Sequence, residues 1–511
     1  MLARNVVATS QPLAAQAGLR MLLAGGNAVD AAIAAAATLT VVEPTMSGLG
    51  SDAFAIVWDG RRLHGLNGSG RSPAGWTRNF FGRFNAMPQR GWHAVTVPGA
   101  VSAWAGLSQR FGKLPFEQIL AQAIDYARNG FPVSPIVARA WGEGVEQFCD
   151  QRAFVETFAP HGGAPRAGKI FCSEAHAMTL ERIAATRGEA FYRGDVAERI
   201  AASAKAEGGL MTVDDLASHR ADWVEPIDTD YRGRRLHEIP PSGQGIAALL
   251  ALNLLRQTPV ADFAVDSADS LHFQIEAMKL AFADLHAHVS DPSHMRVKTR
   301  DLLDPAYAQQ RATLIDPCVA KLASPGIGAA GDTVYVTTAD ASGMMVSFIQ
   351  SNYMGFGSGV VVPGTGIAMQ NRGAGFTLER GHPNEVGPRK RPFHTIVPGF
   401  VTQDGQPLMS FGVMGGGMQP QGHVQMMIRM FDHGQNPQAA SDAPRWRVTG
   451  GMGLVMERGV SPEVADELKS RGHDVTIADF SSFGGAQLIY RLDDGYVAGS
   501  DHRKDGQVVG F

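Results

Sequence analysis

Apolar residues recur at two spacings along the chain, and the balance shifts near residue 330. Before that point helical spacing dominates. The run "QPLAAQAGLRMLLAGGNAVDAAIAAAATL" predicts two helices around a Gly-Gly break. "DSADSLHFQIEAMKLAFADLHAHVSD" predicts another, with Ser and Asp start signals. "FEQILAQAIDYARNGF" and "AERIAASAKAEGG" are amphipathic, and short β runs such as "DAFAIVW" interrupt the helices. After residue 330, "TVYVTTAD" and "MMVSFIQS" flank the turn "ASG" and predict a β-hairpin. "GIAMQNR", "TIVPGFVTQDGQPLMSFGV" and "GAQLIYRLDDGYVAGS" continue in that style. Helices return in "GHVQMMIRMFDHG" and "SPEVADELKSRG". No βαβ period repeats, so the pattern predicts an α+β fold rather than a doubly wound parallel sheet. A long Pro/Gly/Ala-rich loop, "DPCVAKLASPGIGAAGD" at 316–332, ends at Thr333.

The length of 511 residues allows one large domain or several, at roughly 100–200 residues each. With 44% hydrophobic and 18% charged residues the chain can bury a large core. A net charge of -4 gives no electrostatic case for nucleic acid or an anionic membrane. The 60 glycines, many in pairs or triplets, suit an enzyme with tight turns and close backbone approaches. Cys149, Cys172 and Cys318 are far apart and no CxxC occurs, which argues against a disulfide framework or thiolate zinc site. The start "MLARNVVATSQPLAAQ" has no apolar core of a secretory signal, so a cytoplasmic location is expected unless a leader has been removed. The apolar run from Ala31 to Val42 is too short to span a bilayer and reads as a buried helix.

Common catalytic signatures are absent: no GxSxG elbow ("GRSPA" at Gly70 to Ala74 only approaches it), no HExxH, no P-loop and no EF-hand. His286 and His288 stand two apart on a predicted helix and point to different faces, as surface histidines rather than a metal pair. Thr333 offers a different chemistry. A Thr hydroxyl is a poor nucleophile without a base. Cutting the Asp332–Thr333 bond would give Thr333 an α-amine, which titrates near ~7.7–8.0 and lies within reach of its own Oγ. One residue would then supply both nucleophile and base. Most Asp-Thr pairs at a strand start are merely structural, and spacing alone does not separate the two readings.

Seven blocks in order supply the context. They are "EPTMSGLGSDAFAIVWDG", "AVTVPGAVSAWAGLSQRFGKLPFEQILAQAIDYARNGFPV", "IPPSGQGIAALLALNLL", "HFQIEAMKLAFADLHAHVSDP", "EVGPRKRPFHTIVP", "FGVMGGGMQPQGH" and "SDAPRW". Together they resemble the gamma-glutamyltranspeptidase family of N-terminal-nucleophile hydrolases, nearly end to end. The resemblance implies an αββα four-layer sandwich and a self-cleaving precursor. Its large chain would be 1–332 and its small chain 333–511, forming one domain together, with room for a homodimer of such heterodimers. It implies Thr333 as nucleophile, Ser351 as the hydroxyl supporting it, and the Gly415 and Gly416 amides as the oxyanion hole. No metal or organic cofactor is implied, and the partner expected is a small-molecule amide.

Departures from the family pattern bear on the substrate. The Arg, Asn and Asp that grip a glutamyl group fall here at Ser69, Tyr353 and Gly375, with Ala374 beside the last. The family's Ser-Ser pair becomes His394-Thr395. Arg71 and Arg372 lie near the vacated positions, and either could equally be a solvated surface residue. Cations in place of anions suit an acyl group with a carboxylate and no amine. The resemblance is closest in character to the oxamate amidohydrolase branch. Alternatives are a gamma-glutamyl hydrolase or transferase with a rebuilt clamp, an acylase for a bulkier amide, or an unprocessed, inactive homologue that only binds a ligand.

Overall fold

A computed structural model describes residues 1–323 and 332–511, with Asp332 as backbone only. Residues 324–331 of the loop at 316–332 thus lie outside the described residues. Two seven-stranded antiparallel sheets stack face to face. The first runs Gln507–Gly510, Val6–Thr9, Asp332–Ala339, Met345–Tyr353, Asp52–Trp58, Leu63–Asn67, Asp222–Val224. The second runs Leu2–Ala3, Gly495–Ser500, Ala486–Leu492, Gln406–Val413, Gly399–Gln403, Arg234–Glu238, Ile227–Tyr231.

Strand periodicity builds the layers. Successive side chains point to opposite faces, so alternate residues of Asp332–Ala339 enter different cores. Tyr335 and Ala339 join Phe54, Ile349, Phe400 and Ile489 between the sheets. Val334 and Val336 face outward into a core shared with the helices Pro12–Leu23, Ala28–Val42 and Phe116–Asn129. The outer face of the second sheet, including Val401, Met409 and Leu488, packs on the helices Ile246–Leu255, Ala268–His288 and Met418–Phe431. The result is helix, sheet, sheet, helix, the four layers expected. A small sheet, Trp446–Gly450 with Gly453–Glu457 and Asp474–Ala478, extends the second helical side through Trp446, Leu454 and Met456.

Small side chains permit the tightest packing. Helix Ala28–Val42 is buried along its whole length and is rich in alanine. A Cβ at Gly18 on the neighbouring helix would stand 2.9 Å from the Ala31 carbonyl. Asn27 and Asp30 close a capping box at its start, each side chain meeting the other's backbone N–H at 3.0 Å.

The structure departs from the sequence pattern in two places. The pattern of "GIAMQNR" predicts β, but only Ile367–Ala368 forms strand, and Arg372–Gly375 make one tight helical turn. The hairpin Ile227–Tyr231 with Arg234–Glu238 is not among the sequence expectations: "IDTDY" alternates Ile, Thr and Tyr with Asp, but it is short and polar, and of its residues only Thr229 and Tyr231 are buried. Among the described residues no helix is long and apolar enough to cross a membrane.

The two sheets approach each other closely at Gly412. A Cβ there would lie 2.4 Å from the Tyr335 ring, and both residues are buried. Gly412→Ala is therefore expected to cost about 1–3 kcal/mol through overpacking. A denaturant titration reads this as a lowered midpoint at unchanged slope; an unmoved midpoint would contradict close contact of the sheets here.

Candidate active site

The hairpin register decides where Thr333 points. Tyr335 opposes Ile349, Thr337 opposes Ser347 and Ala339 opposes Met345, and these pairs face the gap between the sheets. The register then shifts between Asp332 and Val334, so that Asp332 opposes Tyr353. A bulge of this kind re-aims the side chain at it. Thr333 is 1% exposed. Its hydroxyl donates to Ser351 Oγ at 3.3 Å and accepts from Gln419 Nε2 at 3.3 Å. Ser351 Oγ also accepts the Tyr353 N–H at 2.7 Å. The Gln419 amide is held at its other end, where Oε1 accepts the Val397 N–H at 2.8 Å.

Across from Thr333 the strand Gln406–Val413 ends and the helix Met418–Phe431 begins. The turn between them holds Gly415 at φ +113° and Gly416 at φ +59°, a backbone that glycine adopts readily and other residues rarely do. Neither amide N–H donates to a described residue. Both sit at a helix N-terminus, where the macrodipole favours negative charge. Gln244 Nε2 fixes the turn by donating to the Gly416 carbonyl at 2.7 Å and the Thr395 carbonyl at 2.6 Å. Thr333 and Gly415 line one recess of 220 Å³, together with Met354, Arg447, Ser481 and Lys504.

A larger cleft of 1160 Å³ adjoins this recess and is lined by Tyr353, Gly375, Phe376, Phe393, Thr395 and Arg447, among others. Tyr353 holds φ +82°, a left-handed conformation rare for a bulky residue. Behind Tyr353 and Thr395 lies Arg372, fully buried. Its Nη1 donates to Thr395 Oγ1 at 2.6 Å, and its guanidinium carbon stands 4.6 Å from the Tyr353 ring centroid. Nε and Nη2 have no hydrogen-bond partner among the described residues. Burial pulls its pKa down to about 10, opposed by Asp52 and Tyr353, so it remains a cation at neutral pH.

These features have close parallels. Residues 14–511 match the family model for gamma-glutamyltranspeptidase. The chain belongs to the gamma-glutamyltranspeptidase family. It is 38% identical to the glutathione hydrolase-like YwrD proenzyme of Bacillus subtilis, over 99% of this chain and 98% of the relative. It is 37% identical to the oxamate amidohydrolase proenzyme of Klebsiella pneumoniae, over 98% and 97%. The crystal structure of a cephalosporin acylase from Bacillus halodurans superposes with a TM-score of 0.96 at 49% identity, covering 100% of this chain and 96% of that one. This gamma-glutamyltranspeptidase-family chain is therefore an enzyme, with the N-terminal-nucleophile hydrolase sandwich.

Positions expected to grip a substrate in this family member are not all brought together. Tyr353, Thr395 and, just behind them, Arg372 converge on the cleft. Arg71 is 45% exposed and pairs with Asp291 at 3.4 Å and Asp222 at 3.9 Å, lining neither cavity. Ser69 is buried, and its carbonyl accepts from Arg391 Nε at 3.0 Å. His394 is fully buried against Phe54 and meets Asp52 Oδ2 through Nε2 at 3.1 Å, while its Nδ1 accepts the Ile396 N–H at 3.3 Å. Burial, then Arg372 and Arg391, holds the imidazole well below its usual range, so it stays neutral. His286, read as a surface residue, borders the cleft instead.

Two residues that pattern alone did not single out complete the frame. Gln419 stands four positions after Gly415, on the first turn of the helix, and so faces back toward Thr333. Asp52 is the cross-strand neighbour of Ser351. It accepts from the Gly99 and Gly70 amides at 3.0 and 3.4 Å as well as meeting His394. A further buried group, His272, Glu276 and His473, already encloses the Lys279 ammonium, 2.7 Å from Glu276 and 3.4 Å from His473. That fixed positive charge stands where a cation would otherwise bind.

Burial pushes the Asp52 carboxyl up to about 7, with Arg372 and the two amides opposing. A carboxyl whose pKa is higher folded than unfolded binds its proton more tightly in the native state. Its contribution then favours the fold at low pH and weakens as pH rises toward 7. The melting temperature of Asp52→Asn relative to the native chain is thus expected to climb from about pH 5 to about pH 8. Scanning calorimetry measures the gap, and a gap that does not change with pH would contradict a protonated Asp52.

Proposed function

We propose that this enzyme is a self-processing amidohydrolase with Thr333 as nucleophile, acting on monoamides of dicarboxylic acids. The observation that carries the substrate reading is Arg372: a buried guanidinium with two unpartnered nitrogens, behind the two residues that floor the cleft. A buried cation without a counter-ion is costly, and an arriving carboxylate relieves that cost. Positions 374 and 375 are Ala and Gly, so no carboxylate stands there for the amine of a glutamyl group. Relatives called proenzymes support processing into two chains, 1–332 and 333–511.

In processing, Thr333 Oγ adds to the Asp332 carbonyl, the peptide C–N bond breaks as the acyl group shifts to oxygen, and water hydrolyses the ester. The α-amine of Thr333 is thereby freed. In turnover that amine accepts the hydroxyl proton as Oγ bonds to the substrate carbonyl carbon. Ser351 and Gln419 hold Oγ in place. The Gly415 and Gly416 N–H groups take the developing oxyanion, a role whose loss costs roughly 2.7–4 kcal/mol per donor. The C–N bond breaks, the leaving amine takes the proton back, and water releases the acid. The acyl carboxylate pairs with Arg372 and Thr395 beside Tyr353. Ser69 and His394 line neither cavity, and Arg71, already paired with Asp291 and Asp222, takes no part.

Oxamate is the shortest such amide. The 1160 Å³ of the cleft favours a second reading, a longer or bulkier acyl group of the same charge, which the likeness to a cephalosporin acylase also supports. Initial rates on oxamate, succinamate, glutaramate and a gamma-glutamyl anilide separate these readings. One of the dicarboxylic monoamides is expected to show the highest kcat/KM, and Arg372→Met should lower it about 10–100-fold, the worth of a hydrogen-bonded charge. Faster gamma-glutamyl release, or an Arg372→Met enzyme as active as the native one, contradicts the assignment.

A further inference from the structure

The recess that holds Thr333 contains a second arginine whose side chain has no ion-pair partner among the described residues. Arg447 lies on the strand Trp446–Gly450 and is half-buried. It makes no hydrogen bond or ion pair with any described residue, and its Nε is sealed from solvent without a partner. Burial lowers its pKa, and no neighbouring acid raises it. Among the described lining residues it alone borders both the recess and the large cleft.

Glu457, on the strand paired with that of Arg447, and Asp501, which shares Arg503 with it, are already committed. Asp501 pairs with Arg445 at 2.5 Å and Arg503 at 3.0 Å, and Glu457 pairs with Arg503 at 2.6 Å. The recess itself offers Ser481, Ser482 and Lys504 but no carboxylate among its described lining residues. A guanidinium left unpaired beside a nucleophile is shaped for a planar anion.

Arg372, Tyr353 and Thr395 lie on the cleft side of Thr333 and none of them lines the recess. The acyl carboxylate of the proposed function uses that side. We infer that Arg447 binds a carboxylate on the other half of the substrate, the departing amine. The preferred substrate then carries a carboxylate on both sides of the scissile amide. This inference rests on the proposed function for which half of the substrate faces the recess. Arg447 acts as a specificity determinant by charge pairing, and takes no part in bond making.

The test compares two leaving groups on one acyl group, 4-nitroaniline and 3-carboxy-4-nitroaniline, as anilides of a dicarboxylic acid. The native enzyme is expected to favour the carboxylated anilide about tenfold in kcat/KM, as one charge-assisted pair allows. Arg447→Met brings the ratio to about one, Arg447→Lys restores part of it, and added salt shrinks it in the native enzyme. A native ratio near one, or a ratio unchanged in Arg447→Met, overturns the inference. Turnover of gamma-glutamyl anilides alone would defeat the acyl assignment, and the same ratio on that pair still decides the role of Arg447. Calorimetric titration of the two free anilines into the processed protein gives the comparison without turnover. The carboxylated amine should bind about tenfold tighter to the native chain and equally to Arg447→Met; equal binding to the native chain contradicts the role.

Discussion

The pairing register of the hairpin Asp332–Ala339 with Met345–Tyr353 fixes the candidate nucleophile, and much else follows from it. A slip of one residue would send Tyr335 and Ala339 into the helical core and Val334 and Val336 into the gap, because the side-chain period is two. The bulge at Thr333 comes just where the pairing must stop serving the core and start presenting a hydroxyl. The Gly415–Gly416 turn belongs to the second sheet. The site therefore exists only while the two sheets keep their spacing. Tyr335 seated over Gly412, and Thr337 Oγ1 at 2.5 Å from Ser410 Oγ, hold that spacing from the inside.

Three arginines near the site show how environment decides what a cation does. Arg71 is half exposed and already paired with two aspartates, so it is neutralised at little cost and little gain. Arg372 is fully buried with one good hydrogen bond and two free nitrogens. Arg447 stands between these extremes, half-buried and with its side chain unpaired among the described residues. Asp52 couples electrostatically to Arg372, yet its hydrogen bonds go to His394 and two backbone amides. Asp52 thus offsets part of the guanidinium charge without a hydrogen bond to it, and Arg372 Nε and Nη2 keep no partner among the described residues.

Much of the fold was legible in the sequence. The Gly-Gly break between the first two helices, the long helix Ala268–His288 and the hairpin Asp332–Ala339 with Met345–Tyr353 all carry strong periodicity, since each buries one face. The hairpin at 227–238 was not legible, because its strands are five residues each and dominated by charged side chains, so a short alternation carries little apolar signal. Thr333, Ser351, Gly415 and Gly416 were legible as family motif positions, and the structure brings Thr333 together with Ser351 and Gly415. Gln419, Asp52 and Arg447 were not. Gln419 and Asp52 reach the site through contacts with Thr333 and His394, both distant in sequence, and Arg447 through its place in the lining of the recess. For Gln419 a signal existed in the spacing: four residues past Gly415, at the start of a helix, a side chain faces back toward the preceding turn.

The claim beneath all of this is that Thr333, once freed at its amine, carries the acyl group. Mass spectrometry of enzyme quenched during turnover of a slow amide tests it most directly. The expected result is a small chain of 179 residues (511 − 332) beginning at Thr333, with the acyl mass on its N-terminal peptide. An adduct on any other peptide, or turnover by a chain that is still a single intact polypeptide, would contradict it.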